Sequence, residues 1–295
     1  MKFGVFSVSM PEYDVEQSVA LLKELGYDGV EWRVAEMPAS EPTNVPFAFR
    51  YWAYNKSTLE VRDIANEAAR AKRLCDAAGL EVFGLTTYLP LSDTENLLAV
   101  LRAAKSIGCH QVRAGLVPYD PAKAEKPYPE LFADMRKNLL ALAPALAEND
   151  VKLVLEIHMD TMIASPSAAY RALEGLDPAH YGLIFDPGNM VNEGFEEYQK
   201  SFELLGPYLA HIHIKNGILA PDGVDELGAC KWKRTWTPLK KGMANLKRLF
   251  EIMAKMGYDG TVSIEDFSNE ESTRDKLAQN LEYLRQLADA AAKAE

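Results

Sequence analysis

The phrase KELGYDGVEWRV (23–34) closes an amphipathic helical pattern, stops at a glycine and runs directly into an apolar, β-rich stretch. The same order returns as DAAGLEVFGLTT (76–87), KSIGCHQVRAGL (105–116) and AKMGYDGTVSIED (254–266). Gly26, Gly79, Gly108 and Gly257 stand where a helix-ending residue turns left-handed, a conformation open to glycine because it has no Cβ. The chain holds eight β-rich runs, at 3–8, 28–33, 81–87, 110–116, 151–158, 181–187, 209–215 and 260–267. Helical patterns lie between them, near 14–25, 57–78, 92–107, 129–147, 166–174, 195–205, 240–256 and 270–292. Apolar strands alternating with helices predict a parallel sheet covered by helices. Eight such units in 295 residues predict an α/β fold, a single closed (β/α)8 barrel over 1–295. A doubly wound sheet would carry a glycine-rich turn after its first strand, and here PEYD (11–14) follows.

Two connections are long, 35–56 and 216–239, and both follow a strand, so both are expected at the catalytic mouth. The first carries Trp52 among several aromatics; the second carries Lys231, Trp232, Lys233, Arg234 and Trp236. With 32 Lys+Arg against 43 Asp+Glu the formal charge is −11, which argues against a nucleic-acid surface. The balance favours an enzyme of small molecules. No apolar stretch approaches the roughly 20 residues that span a bilayer, so no membrane partner is expected. Three cysteines without CxxC spacing predict free thiols, and the expected location is cytoplasmic.

Strand parity then selects a site. In KLVLEIH (152–158), Leu153, Leu155 and Ile157 face the helices, while Glu156 and His158 face the barrel interior near its C-terminal end. The same rule turns Asp186 inward after GLIF (182–185), His211, His213 and Lys215 inward in LAHIHIK (209–215), and Glu265 inward after TVSI (261–264). Three carboxylates and an imidazole meeting at one mouth repel unless a cation sits between them. Glu156, Asp186, His213 and Glu265 are therefore the expected ligands of one divalent ion. Their oxygen-rich set suits Mn2+ first, with Mg2+, Co2+ or Zn2+ as alternatives. His158 is placed to meet a substrate hydroxyl, and Lys215 a hydroxyl, carboxylate or phosphate at the rim. Trp52, Trp232 and Trp236 offer faces to a sugar ring, while Glu31 and Tyr88 are expected to line the pocket. His211, a layer deeper, and His110 and His180, at the other end, read as structural.

The phrases LVLEIH (153–158), GLIFDPGN (182–189), HIHIKN (211–216) and GYDGTVSIEDF (257–267) resemble the sugar phosphate isomerase/epimerase group of xylose-isomerase-like TIM barrels. The resemblance runs along essentially the whole chain. It implies the same four metal ligands, with Glu156 and Glu265 acting as base and acid on opposite faces of a substrate carbon. It also implies a homo-oligomer. Two positions depart from the ketose 3-epimerases of the group, Asn189 in place of a His and Leu219 in place of an Arg. A free-ketose 3-epimerase is thereby disfavoured, with Lys231 and Arg234 as substitutes for the missing cation.

The function expected from the sequence is a metal-dependent sugar isomerase or epimerase. Its substrate would be a carbohydrate or polyol-derived ketone, reacting by proton abstraction through an enediolate. The alternative with the same first step is a dehydratase of a keto-polyol or keto acid. A non-catalytic sugar-binding barrel is disfavoured by the carboxylate cluster. An abasic-site nuclease is disfavoured by the net charge and by a total of five histidines.

Overall fold

The structure is a computed structural model describing residues 1–115 and 117–293. Leu116, at the end of the run expected at 110–116, and residues 294–295, closing the expected domain, lie outside the described residues.

Strands β1 (Lys2–Phe6), β2 (Gly29–Ala35), β3 (Leu59–Glu60), β4 (Glu81–Thr87) and β5 (Gln111–Arg113) come from the first half of the chain. The second half supplies β6 (Lys152–Glu156), β7 (Tyr181–Phe185), β8 (Leu209–Ile214), β9 (Asn216–Val224), β10 (Cys230–Thr237) and β11 (Thr261–Ile264). Eight of these run parallel in the order β1-β11-β8-β7-β6-β5-β4-β2, and β1 pairs with β2 to close the ring. The two-residue β3 only extends the edge of β2. Helices return the chain between barrel strands, and Gly26 and Gly257 end theirs at φ 83° and 66°. Among the described residues, no helix is long and apolar enough to cross a membrane.

Alternation along each strand divides the core in two. Leu153, Leu155, Leu183, Phe185, Ile212, Ile214, Val262 and Ile264 are buried against the helices. Inside the ring the ring of Phe83 fills the floor, where Gly4 and Gly29 leave room for it. Above it the lumen turns polar, with Glu31, Thr86, His211 and Ser263 all buried. A barrel interior is normally packed with branched apolar side chains. Polar groups held there therefore serve the layer above them or cost stability.

The connection at 216–239 is an ordered antiparallel hairpin, β9 with β10. The Asp225 carboxylate closes its tip by accepting from the backbone N–H groups of Leu227 and Ala229, both at 2.9 Å. The connection at 35–56 contains a 3-10 turn (Phe47–Phe49) and a short helix (Arg50–Ala53).

Candidate active site

Glu156 ends β6, Asp186 follows β7, His213 lies in β8 with Lys215 just beyond it, and Glu265 follows β11. One ligand atom from each of Glu156, Asp186, His213 and Glu265 falls within 4.8 Å of all the others. The four are buried.

The turn DPGN (186–189) explains part of this arrangement. Asp186 caps the helix Pro187–Asn192, its Oδ1 accepting from Asn189 N at 2.9 Å, which leaves Oδ2 for the site. A Cβ on Gly188 would stand 2.6 Å from the Lys215 carbonyl oxygen, so only glycine lets the turn lie against β8. Asn189 Nδ2 then donates to Glu156 Oε1 at 3.0 Å and to Ile157 O at 3.1 Å.

Two internal cations enter the cluster. Arg113, at the end of β5, donates to Glu156 Oε2 as a fully buried ion pair. Lys215, expected at the rim to meet a substrate group, is buried at the centre. Its Nζ contacts Glu265 and stands 2.8 Å from Asp186 Oδ2 and 3.6 Å from Glu156 Oε1. The expectation that only a divalent ion could hold the carboxylates together is corrected by this pair. Parity along β5 and β2 points Arg113 and the equally buried Arg33 inward, which is the sequence signal for both.

The charges settle unevenly. Burial opposes ionisation of Glu156, but Arg113 and Lys215 outweigh it and hold the carboxyl well below its usual range. Burial pushes Asp186 up to about 7, Lys215 resisting and Glu156 and Glu265 reinforcing. Burial also raises Glu265, again against the pull of Lys215. Burial lowers His158 to about 4, so its imidazole is neutral at physiological pH.

At the centre of this group the buried His213 Nδ1 has no hydrogen-bond partner, and Asp186 Oδ2 has the Lys215 ammonium beside it. Nδ1 lies 3.5 Å from Glu156 Oε1 and 3.9 Å from both Asp186 Oδ2 and Glu265 Oε2. An imidazole nitrogen and three carboxylates gathered this closely are the donor set of a divalent cation, which would displace any proton on Nδ1, so these residues fit such an ion.

Above the cluster opens a cavity of about 410 Å³, a size suited to a small ligand. Trp52, Trp236, Phe267 and Phe49 form an aromatic wall, and Tyr88, Arg113, His158, Lys215 and Glu265 supply polar groups. Of the residues expected to touch substrate, Trp52, Trp236, His158 and Lys215 line the cavity. Lys231, Trp232 and Arg234 do not. Trp236 pairs with Gly217 at the hairpin base, whereas Arg234 and Trp232 pair with Leu219 and Pro221, farther along an arm that leaves the barrel. Trp232 is 61% exposed and Arg234 pairs with Asp160. Glu31 lies below the pocket, bonded to both β8 histidines. Phe49, Met159 and Phe267 reach the cavity from loops, whose path strand parity does not describe.

A family model described as "Xylose isomerase-like TIM barrel" matches residues 19–287. The chain belongs to that family. The chain is 28% identical over 176 residues to an inosose dehydratase of Histophilus somni (strain 129Pt), covering 55% of this chain and 57% of that protein. The chain spans about half the length of the curated relatives it matches. The xylose isomerase-like fold is shared with a 3-keto-D-glucoside 4-epimerase from E. coli, at TM-score 0.71, 17% identity and coverage of 97% and 99%. It is shared also with the IOLI protein, solved with a zinc atom bound, at TM-score 0.68, 15% identity and 99% coverage of both chains.

Proposed function

We infer that this chain is a metal-dependent lyase that dehydrates a cyclic polyol ketone, beginning with loss of the proton next to the carbonyl. The observation that carries this reading is the commitment of Glu156. One of its oxygens takes Arg113 and the other takes Asn189, and its charge is held. Epimerisation asks for an acid and a base on opposite faces of one carbon, and a carboxylate so engaged is a poor partner for either role. Elimination can proceed with a base and an acid on the same side.

Glu265 and Lys215 supply that pair, in contact with each other and both facing the cavity. Glu265, raised above its usual range, takes the proton from the carbon next to the carbonyl. The C–H electrons become the C=C bond as the β C–O bond breaks. Lys215 protonates the departing oxygen, and water leaves. The proton on Glu265 then restores the ammonium, so the pair ends as it began. Glu156, Asp186, His213 and Glu265 would hold the divalent ion, for which Mn2+ suits the donors best. Such an ion supplies polarisation of the carbonyl and stabilisation of charge on its oxygen. Neutral His158 orients a hydroxyl, and the Trp52–Trp236–Phe267 wall covers the apolar face of a ring. The name of the Histophilus somni relative supports a substrate of this class.

The test is incubation of the Mn2+-supplied protein with inosose or a 3-keto-D-glucoside in D2O, followed by absorbance and NMR. Enone absorbance with inosose is the expected result. Deuterium entering the substrate without enone would favour the epimerase. No exchange and no enone with either ketone would refute the enolisation chemistry altogether.

A further inference from the structure

Beneath the ligand group a buried chain of hydrogen bonds ends on the imidazole of that group, His213. Glu31, in the middle of β2 and 1% exposed, accepts through Oε2 from His213 Nε2 at 2.8 Å. Its other oxygen takes the hydroxyl of Thr86. His211 approaches the same Oε2 at 3.2 Å but is satisfied elsewhere, by Thr261 Oγ1 at 2.6 Å and Ser263 Oγ at 2.9 Å. Phe6 stacks on the His213 ring, with centroids 5.6 Å apart and planes at 22°, so the ring cannot roll freely. A carboxylate accepts only, so the nitrogen facing Glu31 must carry the proton. The opposite nitrogen, Nδ1, is the atom left without a partner at the ligand point.

We propose that Glu31 is the positioning residue of the metal site, fixing His213 as the Nε2–H tautomer and aiming the Nδ1 lone pair at the ion. The proposal rests on the reading of Glu156, Asp186, His213 and Glu265 as ligands. Three features distinguish Glu31 from a merely satisfied core carboxylate. It reaches a ligand rather than the ion, it is itself held by Thr86, and the site nitrogen it does not touch is unpartnered. A carboxylate behind a metal-bound imidazole raises the basicity of that ligand and fixes its orientation. Loss of such a partner typically weakens metal binding about 10–100-fold.

The experiment measures Mn2+ affinity by EPR of the free ion for wild type, Glu31→Gln, Thr86→Val and Asp186→Asn. NMR of 15N-histidine in the Zn2+-loaded wild type reports the tautomer. Affinity is expected to fall about 10–100-fold in Glu31→Gln and by less in Thr86→Val. The His213 proton is expected on Nε2. Unchanged affinity in Glu31→Gln beside a large loss in Asp186→Asn would overturn the role of Glu31 and leave the ligand set standing. No binding by wild type, or none lost in Asp186→Asn, would overturn the ligand set itself. Two ions per chain, one lost in Glu31→Gln, would make Glu31 a ligand and overturn its positioning role. If Glu31→Gln does not fold, the wild-type NMR still decides, since a proton on Nδ1 with zinc on Nε2 contradicts the proposal.

Discussion

Replacing Lys215 with Met keeps length and removes charge at the centre of the site. The ammonium stands 2.8 Å from Asp186 Oδ2 and 3.6 Å from Glu156 Oε1, and it contacts Glu265. At an effective dielectric near 20, attraction at 3.6 Å amounts to about 4.6 kcal/mol before the cost of desolvating the ammonium. Breaking a buried pair from one side leaves a net loss of about 3–5 kcal/mol. A chain of 295 residues unfolds with an entropy near 0.6 kcal/mol/K, so the metal-free variant should melt about 5–8 °C below wild type at pH 8.

The pH dependence has a defined sign. Asp186 already sits at about 7 with Lys215 beside it, and removing that cation raises the folded-state pKa further. Carboxyls raised above their unfolded values near 4 destabilise the fold when ionised, and the deficit shrinks as pH falls from above 7 toward 4. The melting gap should therefore narrow at pH 5.5. Excess Mn2+ should narrow it too, because the ion meets no ammonium in the variant and binds it more tightly than wild type, each tenfold difference in Kd being about 1.4 kcal/mol. Differential scanning fluorimetry at both pH values, with and without Mn2+, measures this. A gap of equal size in all four conditions would refute the claim that Lys215 neutralises the carboxylates.

Asn189→Leu should cost about 1–3 kcal/mol, because it strips the donor from Glu156 Oε1 and Ile157 O in a buried site; chemical denaturation reads this directly. His158 is held neutral down to about 4, so wild type should lose stability as pH falls from about 6.5 toward 4 while the unfolded chain takes up the proton. His158→Asn should flatten that part of a melting-against-pH curve. Trp236→Ala should raise KM several-fold with little change in kcat. Trp232→Ala, on the outer arm of the hairpin, should leave both unchanged in steady-state assays.

The strand-and-helix order was legible from residues alone because its causes are local. Glycine after each helix, period-two alternation in the strands and apolar runs between them all act within a few residues of the chain. Parity also placed Glu156, Asp186, His213 and Glu265 on one inner surface, and one ligand atom of each lies within 4.8 Å of the others. What parity cannot supply is depth and distance. Lys215, expected at the rim, lies among three carboxylates, where the DPGN turn packs Gly188 closely against its backbone. Glu31, expected to line the pocket, lies under His213, a contact between residues 182 positions apart. Arg113 reaches Glu156 across the β5–β6 pairing. The order of elements thus follows from short-range stereochemistry written along the chain. The balance of charge at the site arises only when barrel closure brings β2, β5, β8 and β11 around one axis, since interactions through space have no period in sequence.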